Sequence, residues 1–306
     1  MKRISCAWSA VPDRRGGRRR GVVAAVAAAL VLVATACSSR AHDGEFLGSR
    51  EIDVGTHKDL PGMALFENYT YSGFDNALYL DMEKWLEDEE GVQVTRNADV
   101  ASAARIAKLQ SGDADLIVAS FSITPDRMAE VDFVGPYLTT VQGFLVRAGS
   151  DIRRHADLAG KRICTWDGTT SRVALGELKE SVSVGGTDAE ECVQKLRQDL
   201  VDAVSTDQVL LYGFAQHTAG ADGLEVVPGL TVGAPQHYGI GVAKGHREDC
   251  RRLAEWLKDY VGGREWQGNF REALPLLVRE QPDWISRHKP EDDLIDAHSC
   301  VDRPKT

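Results

Sequence analysis

The chain lacks the signatures of metal and nucleophile chemistry. Its 306 residues contain no Cys-x-x-Cys pair, no cysteine–histidine spacing of a zinc site, no His-Glu-x-x-His and no Gly-x-Ser-x-Gly. A zinc site, a zincin or an α/β-hydrolase would therefore be without its ligands or its nucleophile, and neither metal nor cofactor is expected. Long hydrophobic runs are also missing. After Val22–Val33, about a dozen residues and short for a span, no stretch is long and apolar enough to cross a bilayer. There is no low-complexity tract after residue 50, and no repeat beyond two similar α/β units. Positive charge is scarce once the N-terminus is set aside. Residues 1–36 hold seven Lys or Arg and one Asp, a net +6, so the remainder carries −16 against −10 for the whole chain. That acidity argues against nucleic acid or an anionic lipid surface as a partner.

What the N-terminus does hold is an address. Lys2, Arg3, Arg14, Arg15 and Arg18 to Arg20 precede the apolar run, and Ala34, Thr35 and Ala36 lead into Cys37. This pattern reads as a secretory signal over 1–36. Cys37 resembles a bacterial lipoprotein processing site, with Ala34 where leucine is usual. The expectation is a lipid on Cys37, a polar tether over 37–50 and a place on the outer face of the cell membrane, plain secretion being the alternative. Outside the cytoplasm cysteines pair. Of the six cysteines, Cys6 lies in the leader and Cys37 is set aside for the lipid. The other four allow three connectivities. Local pairing, Cys164–Cys192 and Cys250–Cys300, is expected, each loop contributing about 3–4 kcal/mol.

The rest, about 270 residues, suffices for two lobes with their own cores. "EIDVGTHKD", "VQVTR", the buried run Asp115–Ala119 and "GFLVR" read as strands. Phe74–Glu87 and Ala101–Gln110 read as helices between them. A second α/β set starts after a loop at 149–160. It comprises "KRICTWDG", a helix in "GTDAEECVQKLRQ" with Cys192, Leu196 and Leu200 on one face, "LVDAVSTD" running into a helix, and a strand over 237–245. Helices are expected over Glu248–Val261 and Glu265–Leu274, with Pro275 stopping the second. Trp256 and Trp266 are expected in the core or on a lobe face. Alternating strand and helix indicate an α/β sheet with crossovers.

Three strand–polar turn–helix stretches stand out, because ligands bind beyond the carboxyl ends of strands in such sheets. The first holds Ser120, Ser122, Thr124 and Arg127. Thr124 fits a helix N-cap and Pro125 the first helical position. Arg127 then sits in the first turn, where the helix dipole disfavours a cation by a few tenths of a kcal/mol, so something must compensate it. The second holds Gly168, Thr169 and Thr170, and the third Ser205, Thr206 and Asp207. Together they supply hydroxyls, a guanidinium fork and a carboxylate, the set a small zwitterion needs. Taken singly, Asp207, Thr169 and Thr170 read as helix caps and Arg127 as a solvated charge.

"DVGTHKDLPGM", "YSGFD", "RIAKLQSGDADLIVASFSITPDRMAEVDFVGPY", "DAVSTDQVLLYGFA" and "YGIGVAKG" occur in the order found in the family 3 extracellular solute-binding proteins. Over residues 50–280 the chain resembles that family, the amino-acid-capturing subunits of ABC importers, and within it a glutamate-binding actinobacterial branch. The resemblance implies a bilobal periplasmic-binding-protein type II fold. Lobe 1 would hold 51–142 plus 243–306 and lobe 2 would hold 143–242, with crossings near 141–147 and 237–243. It assigns Arg127, Ser120, Ser122 and Thr170, with Thr169 beside it, to a ligand carboxylate, and Asp207 to its ammonium. Ser102 and Arg105, one helical turn apart, match positions that hold a distal carboxylate, and His57 stands where acidic-ligand members carry Arg or Lys. Asn76, Ala77 and Phe66 depart from the usual pattern. The implied partners are an amino acid, the permease and ATPase of an importer, and the membrane through the lipid, the protein itself being a monomer and not an enzyme. Two alternatives use the same fold, an amino-acid sensor signalling to a membrane partner and a secreted dehydratase-like enzyme.

Overall fold

The computed structural model describes residues 46–49, 51–178, 180–217 and 223–303. The signal segment and Cys37 lie outside them. The first strands and helices are β1 (Glu51–Thr56), the short β2 (Asp59–Leu60), β3 (Ala64–Glu67) and β4 (Thr70–Ser72), α1 (Phe74–Trp85), β5 (Gln93–Ala98), α2 (Arg105–Ser111), β6 (Leu116–Ser122), α3 (Pro125–Glu130) and the long β7 (Asp132–Arg147). Then come β8 (Arg162–Trp166), α4 (Thr170–Glu177), β9 (Val182–Gly186), α5 (Ala189–Arg197), β10 (Ala203–Asp207), α6 (Gln208–His217), β11 (Leu224–Val226) and β12 (Val232–Val242). The chain closes with α7 (Arg247–Gly262), α8 (Arg264–Ala273), α9 (Pro275–Glu280), α10 (Trp284–His288) and α11 (Asp292–His298).

Among the described residues one sheet of nine strands runs β5-β1-β6-β12-β7-β10-β8-β9, with β11 beside β7. β1 pairs in parallel with β5 and β6, and β8 in parallel with β9 and β10, as crossover helices require. Between these two parallel wings lie β12 and β7, antiparallel to each other and to the wing strands they meet. β7 spans both: its first residues pair with β12, and Gly143–Leu145 pair with Thr206–Val204 of β10. Every residue of β6 is buried, the mark of a strand covered on both faces. The carboxyl ends of β6, β8 and β10 are thereby brought to one cleft.

Several details depart from the reading of the sequence. The helix expected over Ala101–Gln110 begins at Arg105, and Ser102–Ala104 form a 3-10 turn before it. The helix holding Cys192 ends at Arg197, so Leu200 lies beyond it and is 54% exposed rather than on its buried face. Pro275 does end α8, but it also opens α9 as its first residue, a position where its missing N–H is not needed. The tether expected up to residue 50 is already packed at Phe46 and Leu47, with Phe46 N donating to Asp249 Oδ2 at 2.6 Å.

Both expected disulfides are present, Cys164–Cys192 joining β8 to α5 and Cys250–Cys300 joining α7 to the residues after α11. Trp256 and Trp266 are buried. Trp266, Phe270 and Trp284 stack with centroids 5.0–6.1 Å apart, fixing α8 and α10 to each other. Trp266 Nε1 donates to the Tyr137 carbonyl at 2.8 Å, which ties that stack to β7. The last residues follow the same strand, His288 Nδ1 donating to Thr139 O and Cys300 N to Phe133 O, both at 2.8 Å.

Candidate ligand-binding cleft

The cleft is built from the ends of strands. β6 leaves the sheet at Ser122, and Thr124 caps α3 by accepting the Arg127 N–H, with Pro125 at the first position. Arg127 is thus held in the first turn, as its local sequence predicts. Its compensation includes two backbone carbonyls: Nη1 donates to Ser122 O at 2.7 Å and Nη2 to Gly168 O at 2.8 Å. The guanidinium also lies over the Phe121 ring, 5.0 Å from its centroid.

Arg105 lies deeper, 3% exposed, with its guanidinium 4.4 Å from the centroid of the same ring. Four of its five N–H groups are taken by carbonyls. Nε donates to Ser102 O, Nη1 to Ala119 O and Ser120 O, and Nη2 to Gly168 O, at 2.9–3.1 Å. Burial, then the neighbouring Arg127, pull the pKa of Arg105 down to about 9, and burial pulls that of Arg127 down to about 10. Both remain cations at neutral pH.

Gly168 O therefore accepts from both arginines across the cleft. Its backbone, at φ +77°, comes so close to the 102–104 turn that a Cβ would stand 2.4 Å from Ala103 N. Only glycine fits there.

Ser120 adopts φ +44° inside a strand, which is strained for a residue with a Cβ. It is held by Asp75, whose Oδ2 accepts both Ser120 N at 2.7 Å and Ser120 Oγ at 2.8 Å. Asp75 Oδ1 accepts from Tyr137 at 2.8 Å. The aspartate of "YSGFD" thus aims the Ser120 carbonyl at Arg105.

From the other wing, Thr169 caps α4, donating to Trp166 O at 2.7 Å and accepting from Arg172 N. Thr170 Oγ1 instead accepts from Gln142 Nε2 at 2.9 Å, so its own proton is directed elsewhere. Asp207, at the end of β10, is 5% exposed. Its Oδ2 accepts from Tyr238 at 2.5 Å, whereas its Oδ1 is buried with no partner. Burial pushes its carboxyl up to about 6, against the opposing pull of the Tyr238 hydrogen bond, Arg127 and Arg105.

One cavity is lined by His57, Ser102, Arg105, Ser120, Ser122, Arg127, Thr169, Thr170 and Asp207. The nine side chains that the resemblance assigns to a ligand are all brought together there, whereas Thr124 and Ser205 of the same stretches do not line it. His57 does not add positive charge: burial, then Arg105, push its imidazole down to about 3, so it is neutral. The sequence reading missed Leu60, Trp166 and Leu210 in the lining, and had Thr206 in its third stretch without assigning it to the ligand. Trp166 stands two residues before Gly168, the start of the second stretch. The cavity measures about 20 Å³, far below the several hundred Å³ of ordinary ligand sites. Chemically, the lining offers N–H and O–H donors on one side and an unshared carboxylate oxygen on the other.

Residues 52–274 match the family model for bacterial extracellular solute-binding proteins, family 3. The chain belongs to that family. It is 33% identical over 281 residues to the glutamate-binding protein GluB of Corynebacterium efficiens, covering 88% of this chain and 93% of that one. It is 29% identical over 272 residues to the ABC transporter glutamine-binding protein GlnH of Bacillus subtilis, with 82% and 94% covered. An ancestral arginine-binding protein solved with arginine superposes with a TM-score of 0.66 at 27% identity, covering 74% of this chain and 99% of that chain. The fold of this family 3 member is the bilobal α/β architecture expected from its sequence. Those three relatives are named for three different ligands, so the lining residues, not membership in the family, must decide what this cleft holds. No helix among the described residues is long and apolar enough to cross a membrane.

Proposed function

We propose that this protein captures an acidic L-amino acid of glutamate type outside the cytoplasm and delivers it to the permease of an ABC importer. One observation carries the proposal: two buried or half-buried guanidiniums and one buried carboxylate with an unshared oxygen line a single cavity. On this reading Arg127, Thr170, Ser120 and Ser122 hold the α-carboxylate and Asp207 Oδ1 takes the ammonium. Arg105 and Ser102 face the distal carboxylate, with Thr169 and the neutral His57 shaping the wall. The lining carries two cations against one anion, an excess that an acidic amino acid neutralises and a neutral one leaves. Asp75 is a further carboxylate one layer behind, committed to Ser120 and Tyr137. The two wings are the lobes, parting along β7 and β12 to admit the ligand. Cys37 carries the lipid that holds the monomer at the membrane.

A second reading has its own observation. Asp59, Asp99 and Asp188 line a recess of about 120 Å³ that shares His57, Leu60, Ser102 and Trp166 with the main cavity. A basic side chain would find its partners there. A thermal-shift screen of the twenty amino acids on the full-length protein in mild detergent separates the two. Stabilisation by glutamate and aspartate supports the first reading. Stabilisation by arginine or lysine alone overturns it in favour of the second, and stabilisation by none of the twenty overturns both.

A further inference from the structure

Asp207 has two oxygens in unlike surroundings, and the difference is made by a residue from another strand. Tyr238 belongs to β12, is fully buried, and pairs through its backbone with Ser122 of β6 and Leu138 of β7. Its hydroxyl reaches Asp207 Oδ2 at 2.5 Å. A carboxylate can only accept, so the phenol donates. Oδ1 is left buried and unpartnered, on a residue that lines the cavity. We propose that Tyr238 is the positioning residue of the cleft, fixing Asp207 through Oδ2 so that Oδ1 stays ionised and aimed at a ligand ammonium. The proposal rests on the reading of Asp207 given above. It goes beyond it in assigning the strength and acid tolerance of binding to a crossing-strand tyrosine that does not line the cavity.

Three features support this. The remaining charged groups facing Asp207 are Arg127 from α3 and Arg105 from α2, and both are cations occupied by backbone carbonyls. His57, from the end of β1, also lines the cavity and stays neutral. The lining contributed by β8, α4 and α6, namely Trp166, Thr169, Thr170 and Leu210, does not titrate. Tyr238 is thus the sole hydrogen-bond donor to the Asp207 side chain among the described residues. Finally, a second pair serves as an internal control. Tyr137 of β7, 6.1 Å from Tyr238 by ring centroids, donates to Asp75, which has three donors and no place in the lining.

The test is the affinity for L-glutamate between pH 5 and 8 by calorimetry on the full-length protein, a window above the titration of the ligand's own side chain. Tyr238→Phe is expected to weaken binding about tenfold at pH 8, the loss of one hydrogen bond to a charged group. It should also move the acidic fall-off in affinity to higher pH, because Asp207 loses the donor that favours its ionised form. Tyr137→Phe should leave the fall-off where it is. Should Tyr238→Phe fail to fold, 3-fluorotyrosine placed at 238 provides the opposite perturbation. A more acidic phenol donates more strongly, and the fall-off should move to lower pH. A fall-off that coincides with wild type in both Tyr238 variants overturns the proposal. Asp207→Asn separates this from failure of the underlying reading: if that variant binds glutamate as wild type does, Asp207 is not the ammonium acceptor at all.

Discussion

The two sides of the cleft are prepared in opposite ways. On the β6 side the cations are anchored: Arg105, through four of its N–H groups, and Arg127, through two, donate to the carbonyls of Ser102, Ala119, Ser120, Ser122 and Gly168. On the β10 side Asp207 has a single donor and a buried oxygen left over. A guanidinium has five N–H groups and can be fixed by carbonyls while still presenting charge. A carboxylate buried with an unused oxygen instead stores an unmet demand, visible in the rise of its pKa on burial to about 6. One face is rigid and the other is hungry for a donor. The asymmetry predicts that losing the carboxylate and losing a guanidinium will not have the same signature.

The largest effect expected is on binding. Asp207→Ala would leave a trapped ammonium unpaired, costing about 3–5 kcal/mol, a loss of a hundredfold or more in affinity measured by calorimetry. Since the apo protein sheds a poorly satisfied buried carboxyl, its melting temperature should hold or rise. Arg127→Ala should lose binding comparably but lower the melting temperature, because the carbonyls of Ser122 and Gly168 lose a donor. Equal effects of both variants on melting would break the contrast.

Next in size are the disulfides, one per side. Opening Cys164–Cys192, a 28-residue separation, should cost about 3.6 kcal/mol, and opening Cys250–Cys300, a 50-residue separation, about 4 kcal/mol. Denaturant titrations of the paired serine variants measure both. The first bridge anchors β8, which leads directly to Gly168–Thr170, so its loss should also weaken ligand binding, whereas loss of the second should leave affinity within about twofold.

Acid sharpens the comparison further. Asp207 has its pKa raised in the fold, so the native state binds its proton more tightly than the unfolded chain does. Between pH 6 and 4 this group therefore adds stability as pH falls. His57 runs the other way. Its pKa is pushed down to about 3, the unfolded chain binds the proton first, and stability is lost as pH falls below about 6.5. His288, pushed down to about 4 by burial, adds to that loss. Each contribution is on the order of 3 kcal/mol, so Asp207 offsets only part of the loss from the two histidines in the wild type. Asp207→Asn should unmask a steeper loss of melting temperature on acidification. Ligand affinity, which needs the ionised Asp207, should fall about tenfold per pH unit below about 6 in the wild type.

How much of this could be read from the sequence depended on distance along the chain. The Thr124–Pro125 cap, the burial of β6 and the placing of Arg127 and Asp207 at strand ends follow from neighbours within a few residues, and they were legible. Leu200 was misplaced because the helix ends in a left-handed turn at Asp199 that no glycine announces. Pro275 reads equally well as a stop and as a start, which hid α9 and the helices after it. The work of Asp75 on Ser120, 45 residues away, and of Tyr238 on Asp207, 31 residues away, depends on which strands the sheet places side by side. The recognisable "YSGFD" and "YGIGVAKG" marked these residues without saying what they touch.

Gly168 gives the smallest and cleanest test, because it is where the two faces meet. A methyl group there would incur two costs: left-handed strain of about 1–2 kcal/mol, and a collision with Ala103 N at 2.4 Å that must part the two turns. Gly91 has a similar φ of +67° and nothing within 4 Å of its added Cβ, so Gly91→Ala carries the strain without the collision. Both variants should lose a few degrees in melting temperature. Only Gly168→Ala should also weaken ligand binding, by about tenfold, since displacing that turn withdraws the carbonyl that Arg105 and Arg127 share. Equal affinities in the two variants would mean that the shared carbonyl does not align the cationic face with Asp207, and that each side of the cleft is set by its own wing alone.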